Sequence, residues 1–216
     1  ITVFSFHPVK IITTAEGGMA VTGSEALKEK MQLFRSHGVT RNKKLMTKES
    51  EGGWYYQQVA LGFNYRMTEL QAALGISQMQ RLDEFVAKRH ILQKKYDLLL
   101  EDLPIIKPYQ DKDSYSALHL YPIQIDLNST KKSRKQVFNE LRKKNISVNV
   151  HYIPIYSHPY YEKFDFSNEI LPIAENYYNR AISIPLFSIM TSLQQNTVEQ
   201  ALLSIFKLNN KSETIL

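Results

Sequence analysis

The sequence predicts an α/β chain built in two parts. Three observations carry that prediction. Residues 1–6 are a short β-branched and aromatic run, and residues 118–126 form a second strand-like run that carries a proline. Three Thr/Ser-x-x-Gln signatures, Thr68 with Gln71, Ser133 with Gln136 and Thr191 with Gln194, each open a run with helical spacing. The second half then follows a strand–helix–strand–helix–helix order, which is the pattern of a compact α+β unit.

Taken in order, residues 1–6 (ITVFSF) read as a buried strand stopped by His7 and Pro8. Residues 17–22 (GGMAVT) read as a second strand. Ser24 caps a helix reaching about Ser36 and closed by Gly38. Residues 40–58 are polar, carry Gly52 and Gly53 and show no period, so they form a long loop of the kind that is functional or mobile. From Thr68 one helix of about thirty residues is expected, with Leu70, Leu74, Leu82, Phe85, Leu92, Tyr96 and Leu99 on one face. Pro104 ends that segment. Residues 118–126 (LHLYPIQID) form a strand whose Pro122 points to an edge or a bulge. Ser133 caps a helix through Lys144, residues 146–153 alternate as a strand, residues 170–181 are helical, and the last helix ends near Leu208. The composition change between Arg89 and Leu103 places a domain boundary at residues 88 and 89.

The 216 residues suffice for one large domain or two small ones, and 43% hydrophobic with 22% charged residues exclude a disordered or collagen-like chain. No apolar run reaches membrane-spanning length. There is no cysteine, which excludes a disulfide scaffold, a zinc-thiolate site and a thiol nucleophile and fits a reducing compartment. The net charge of +6 leans toward an anionic partner, or marks only a soluble basic surface. The chain opens on Ile1 inside a strand pattern, with no basic segment before it, so no signal peptide is read and a piece of a longer polypeptide is expected.

No Walker loop, dinucleotide-binding glycine motif, zincin motif or nucleophile elbow is present, and the six histidines show no metal-ligand spacing, so no metal site is expected. His37, His90 and His158 read as surface or packing residues. The segment from Ser5 to Gly18 stands apart. It sets Lys10 just past a strand and just before a Gly-Gly strand start. A neutral lysine amine can form a Schiff base, and Ser5 can offer a hydroxyl to a phosphate. On spacing alone Lys10 reads as a surface lysine on a loop.

Residues 4–22 (FSFHPVKIITTAEGGMAVT) resemble the active-lysine segment of the DegT/StrS-type nucleotide-sugar aminotransferases. The resemblance continues through residues 33–38 (LFRSHG), 61–75 (LGFNYRMTELQAALG), 150–154 (VHYIP) and 183–187 (SIPLF), in the family's order. It is nearest to the branch that serves pseudaminic acid synthesis on a UDP-linked 4-keto sugar. The resemblance implies part of a fold type I, aspartate aminotransferase-like enzyme dependent on pyridoxal 5′-phosphate. Residues 1–88 would be the C-terminal part of the large cofactor-binding domain, and residues 89–216 a small α+β domain. Lys10 would be the Schiff-base lysine and proton shuttle, and Ser5 would bind the cofactor phosphate. Asn64 would reach the phosphate held by the partner subunit of a homodimer. Arg66, His151 and Tyr152 would line the nucleotide-sugar side of the cleft, an Arg fork suiting a diphosphate and an aromatic edge suiting a sugar or base. Gly17, Gly18 and Glu16 would support the lysine turn. Without the resemblance, Asn64 reads as a turn residue before a helix, Arg66 as a surface ion pair, and His151 with Tyr152 as a strand end packed on Tyr160 and Tyr161.

The implied activity is transfer of an amino group from an amino acid, glutamate by expectation, to a keto sugar in the cytoplasm. Family members are roughly twice this length. Their N-terminal half supplies the Asp at the pyridinium nitrogen, an aromatic over the ring and a helix N-terminus for the phosphate. Residues 1–216 alone are therefore expected to lack full catalysis and to expose a sheet edge and helix faces. The other readings are an inactive or split chain, and a dehydratase relative, which Lys10 opposes because such relatives replace the lysine. A nucleic-acid module rests on the run Lys131, Lys132, Ser133, Arg134, Lys135. It lacks interleaved aromatics and any nucleic-acid fold motif, so no nucleic-acid or membrane partner is expected.

Overall fold

A computed structural model describes residues 1–164 and 171–206. The chain forms two compact units that divide between Leu82 and Asp83.

In the first unit β1 (Thr2–Ser5) pairs antiparallel with β2 (Gly18–Val21), in a register running from Thr2 opposite Val21 to Ser5 opposite Gly18. The first strand was expected to be buried; every residue of both strands is exposed, Val3 by 75%. Two strands cannot bury their own faces, and within this unit no layer covers them. Ser24 caps α1 (Glu25–Arg35) by accepting the Leu27 N–H. After it the Gly38 N–H bonds back to Leu33 O at 2.9 Å. Gly38 has φ +69° and lies so close to Ala60 that a Cβ would meet the Ala60 carbonyl oxygen at 1.8 Å. No other residue fits there.

Short strands β3 (Val39–Thr40) and β4 (Gln57–Gln58) pair and pinch the base of the expected loop. Gln57 staples that loop internally. Its Oε1 accepts from the Thr47 N–H at 2.8 Å, and its Nε2 donates to Lys48 O at 3.1 Å.

The Thr68–Gln71 capping box forms in full and opens α2 (Glu69–Met79). The single thirty-residue helix is corrected by the structure: α2 stops at Met79, and α3 (Leu82–Leu99) starts afresh. At the break the Arg81 N–H bonds to Gln78 O, an i to i−3 bond that tightens the ladder and ends it. The expected apolar face splits accordingly. Phe85, Leu92 and Tyr96 on α3 are buried, while Leu70 on α2 is 85% exposed. Among the described residues of the first unit the buried hydrophobic is Ile12, and α1 and α2 bury no residue at all. The helix faces expected to be exposed are exposed, Leu70 and Ile76 of α2 among them.

The second unit has a core. Its sheet runs β5-β6-β7, all antiparallel: β5 (Ile105–Ile106), β6 (Tyr121–Ile125) and β7 (Ala181–Ile184). Tyr121, Ile123 and Ile125 point to one face and are fully buried. Pro122 sits in the central strand, contrary to the edge reading. Pairing with β5 reaches only Ile125 and Gln124, so beside Pro122 the strand is paired to β7 alone. The apolar sides of α3, α4 (Arg134–Lys143) and α7 (Ser192–Phe206) close the core through Leu92, Tyr96, Val137, Leu141, Leu202 and Ile205. Each such buried side chain stabilises the fold by about 1.5–3 kcal/mol.

Both remaining capping boxes form as the sequence predicts. Gln136 Oε1 accepts the Ser133 N–H at 2.8 Å, and Gln194 Oε1 accepts the Thr191 N–H at 2.8 Å. The expected end of the last helix near Leu208 lies outside the described residues.

One expected strand is absent from this unit, one helix has different bounds, and one strand was not foreseen. Residues 146–153 do not form a ladder strand; Asn149 alone exchanges backbone bonds with Ser183, and a 3-10 turn (Ile155–Ser157) and α5 (Pro159–Glu162) follow. Ile146 and Val148 are buried, so the alternation reflects packing without a partner strand. The helix at residues 170–181 is α6 (Pro172–Arg180), and Ala181 already belongs to β7; Ile170 lies outside the described residues. β7 was missed because all four of its residues are buried, which leaves no alternation to see.

Arg89 ties the unit together. Its side chain is buried, and Nη1 donates to Leu118 O at 3.0 Å, His119 O at 3.2 Å and Leu186 O at 3.0 Å. Burial pushes its pKa down from the ordinary arginine value.

Candidate functional site

The lysine turn is built from the backbone of Phe6. The Phe6 carbonyl accepts the Thr14 N–H at 3.0 Å and the Thr13 hydroxyl at 2.9 Å, and the Phe6 N–H donates to Gly17 O at 2.9 Å. These bonds close the connection between β1 and β2 into a tight loop. At its tip the Lys10 N–H bonds to His7 O at 3.0 Å, and the Lys10 side chain is half-buried. Ser5 is exposed at the end of β1, opposite Gly18. The loop therefore carries an amine and a hydroxyl on one short, braced segment. That donor set fits an aldehyde bearing a phosphate, the amine for the carbonyl and the hydroxyl for the phosphate oxygens.

Thr14 pins this loop. It is 3% exposed, and its hydroxyl donates to Glu16 O at 2.8 Å. A Cβ on Gly17 would meet Thr14 Oγ1 at 2.3 Å and Met67 Cε at 3.0 Å, and one on Gly75 would meet Thr14 Cγ2 at 2.8 Å. A Cβ on Gly18 would meet Phe4 O at 2.8 Å. The glycines serve close packing of the loop on β1, on Met67 and on α2, which accounts for the expected support by Gly17 and Gly18. Glu16 contributes its carbonyl, and its carboxylate lies 3.9 Å from His7 Nε2 on the surface.

Asn64 and Arg66 lie on the segment leading into α2, and both are exposed. The backbone of Asn64 forms an isolated bridge with Ser36, flanked by Phe63 N–H to Phe34 O at 2.7 Å and Tyr65 N–H to Arg35 O at 2.9 Å. The segment is thus sewn to the C-terminal end of α1. Phe63 and Tyr65 stack at 4.9 Å, both exposed. Met67, three residues beyond Asn64, is the contact with the lysine loop.

His151 and Tyr152 belong to the second unit. Their peptide is cis, and their rings meet edge to face at 4.6 Å. Tyr152 is 68% exposed. His151 Nδ1 lies 2.8 Å from Ser183 Oγ, and its Nε2 lies 3.4 Å from Asn149 Nδ2. Sequence reasoning missed Thr14, Asn149 and Ser183 as supports. Their partners lie far along the chain or in an irregular turn, where no spacing rule applies.

The basic run has partners within the fold. Lys132 Nζ pairs with Glu140 at 2.6 Å, and the Arg134 guanidinium lies 4.4 Å from the centre of the Tyr178 ring. Among the described residues no group of three or more His, Cys, Asp or Glu is placed to hold a metal ion, and no helix is long and apolar enough to cross a membrane.

A model of the DegT/DnrJ/EryC1/StrS aminotransferase family matches residues 1–203. Over 209 residues the chain is 37% identical to a UDP-4-amino-4,6-dideoxy-N-acetyl-beta-L-altrosamine transaminase of Campylobacter jejuni, covering 96% of this chain and 52% of the relative. Among solved structures it resembles Helicobacter pylori PseC, an aminotransferase involved in the biosynthesis of pseudoaminic acid, at 34% identity and a TM-score of 0.81, covering 95% of this chain and 53% of that one. The PLP-form of the sugar aminotransferase Spr1654 from Streptococcus pneumoniae matches at 26% identity and a TM-score of 0.80, covering 95% and 51%. The fold is that of part of a fold type I aminotransferase. The chain spans about half the length of the curated relatives it matches.

Proposed function

The chain belongs to the DegT/DnrJ/EryC1/StrS aminotransferase family, and on that premise we propose that it carries the active lysine of a pyridoxal 5′-phosphate-dependent nucleotide-sugar aminotransferase. The observation that carries this reading is the braced turn that holds Lys10 between β1 and β2, with Ser5 at the strand end. Bound there, pyridoxal phosphate would supply an electron sink for breaking a bond at the carbon bearing the amino group.

The chain's own residues do the rest. Lys10 Nζ would hold the cofactor through its aldehyde carbon, and as a free amine it would carry a proton to or from the carbon that bears the amino group. Ser5 Oγ holds a phosphate oxygen. Asn64 reaches the phosphate held by the partner subunit, so two chains complete two sites. Arg66 binds the diphosphate, and His151 with Tyr152 orients the sugar. Residues 1–88 act as the C-terminal part of the large domain and residues 89–216 as the small domain. The finer reading is glutamate as donor and a UDP-linked 4-keto deoxy sugar as acceptor, in glycan sugar synthesis in the cytoplasm; the name of the Campylobacter relative supports the UDP-linked deoxy sugar. Residues 1–216 alone are inactive on this reading, as the bare strands and helix faces of the first unit support.

Lys10→Ala and Lys10→Arg in the complete polypeptide test it. Both should abolish amino transfer from glutamate to a UDP-4-keto sugar. Ordinary turnover by Lys10→Ala overturns the assignment, and loss of a sugar hydroxyl without amino transfer by the unaltered protein redirects it to dehydration.

A further inference from the structure

We propose that the loop between β3 and β4 is a nucleotide-binding element, in which Trp54 stacks on the base of a nucleoside diphosphate and the cations around it attract the phosphates. The inference rests on the proposed nucleotide-sugar substrate and adds to it the residue that reads the nucleotide.

Trp54 is the one tryptophan of the chain, and it is 71% exposed. An indole gains when a flat ligand takes its face out of water. The ring is held ready for that. Three carbons of its six-membered ring, Cη2, Cζ3 and Cζ2, lie 2.5, 2.5 and 2.9 Å from the place a Cβ on Gly52 would take. The indole therefore rests on bare Gly52 backbone, a seat that any other residue would fill. The seat is itself fixed. Gly52 O accepts the Tyr55 N–H at 3.0 Å and the Ser50 hydroxyl at 3.1 Å. Gln57 ties the rest of the loop further, with Nε2 donating to the Tyr55 hydroxyl at 3.2 Å and Oε1 accepting the Thr47 hydroxyl at 3.2 Å. A braced loop that displays one aromatic face loses little freedom when a ligand lands on it.

The surroundings choose the ligand. Arg41, Lys43, Lys44 and Lys48 are exposed on the same loop, against Glu49 and Glu51. Among the described residues none of these four cations pairs with a carboxylate. A tryptophan that anchors a protein partner sits among apolar neighbours, and residues 47–53 (TKESEGG) offer none. A planar base carrying phosphates matches an aromatic face set among cations. The feet of the loop also meet the segment that carries Asn64 and Arg66. The Val59 N–H bonds to Gly38 O at 2.9 Å, Gln58 Nε2 donates to His37 O at 3.0 Å, and the His37 N–H bonds to Phe63 O at 2.8 Å. One knot at His37 and Gly38 thus holds the Trp54 loop and the proposed diphosphate-binding segment together.

The test measures UDP binding to the complete polypeptide by calorimetry, with inorganic pyrophosphate as the probe of charge alone. Trp54→Ala should weaken UDP binding about fivefold to 100-fold, the range for loss of one base stack, and leave pyrophosphate binding unchanged. Trp54→Phe should keep part of the affinity. Gly52→Ala keeps the indole but fills its seat, and should weaken UDP binding as well. UDP should also quench a component of tryptophan fluorescence that Trp54→Phe lacks. UDP affinity unchanged in Trp54→Ala overturns the inference, and so does an equal loss of UDP and pyrophosphate affinity. A change of oligomeric state in Trp54→Ala, read by light scattering, with UDP affinity unchanged also overturns it and makes the loop a contact between copies. If the unaltered protein transfers no amino group while Trp54 still governs UDP binding, the proposed aminotransferase activity falls and the nucleotide site stands. If amino transfer is normal and UDP binding ignores Trp54, the stacking role alone falls.

Discussion

Replacing Gly75 by Ala tests how the lysine turn is held. On helix propensity alone the change should help, since Gly75 is interior to α2 and Ala gains about 0.8–1 kcal/mol over Gly in a helix. The structure predicts the opposite sign. The new methyl would lie 2.8 Å from Thr14 Cγ2, where ordinary contact begins near 3.4 Å. Thr14 cannot swing aside cheaply. Its hydroxyl is bonded to Glu16 O, its N–H to Phe6 O, and its other flank rests on Gly17. Overpacking of this kind costs about 1–3 kcal/mol. The net effect should be a loss of about 1 kcal/mol. The relief available is a shift of the whole loop, which carries Lys10 with it. A shift approaching 1 Å at a reacting group can lower turnover up to about 100-fold. Thermal unfolding and amino transfer of Gly75→Ala, in the complete polypeptide, are compared with the double variant Gly75→Ala/Thr14→Ser. The serine removes Cγ2 and keeps the hydroxyl, so the double variant should recover most of both losses. A Gly75→Ala protein that is more stable and fully active refutes the reasoning. A double variant no better than the single one does so as well.

Two further outcomes concern the second unit. Arg89→Met should destabilise it by about 3–5 kcal/mol in denaturant unfolding, because three carbonyls on separate segments lose one buried donor; a loss below about 1 kcal/mol would remove Arg89 from its tying role. Tyr96 and Tyr121 should resist ionisation well above the ordinary tyrosine value of 10.0, since burial raises both and the Asp97 carboxylate beside the Tyr121 hydroxyl raises it further. The unfolded chain releases these two protons from about pH 10 upward and the folded chain does not, so stability should fall as pH rises through that range. Absorbance near 295 nm should then show two tyrosines ionising only with unfolding; early, independent ionisation of all the tyrosines would contradict the packing.

The elements legible in the sequence were those fixed by neighbours a few residues apart. All three capping boxes form because each is a four-residue arrangement of a hydroxyl, an amide and two backbone N–H groups. The turn around Lys10 was picked out by the family resemblance, and the structure shows it to be local too, with Thr13, Thr14 and Gly17 all bonded to the Phe6 backbone. What the sequence hid depends on distant partners. β7 is buried on both faces by segments far along the chain, so it carries no alternation. The alternation at residues 146–153 is real, but a strand also needs a free edge beside it along its length, and only Ser183 supplies one. The halt at Gln80 and Arg81 involves no glycine or proline, only a change from i−4 to i−3 bonding. The contacts that position candidate groups, Thr14 on Gly75 and Ser183 on His151, join residues far apart in sequence.

The most direct measurement is to trap the cofactor. The complete polypeptide is incubated with pyridoxal 5′-phosphate, reduced with borohydride and digested, and the peptides are mapped by mass. The account predicts a stable pyridoxyl group on the peptide carrying Lys10, absent in Lys10→Arg. A pyridoxyl group on another lysine, or none in a protein that still transfers amino groups, would contradict it.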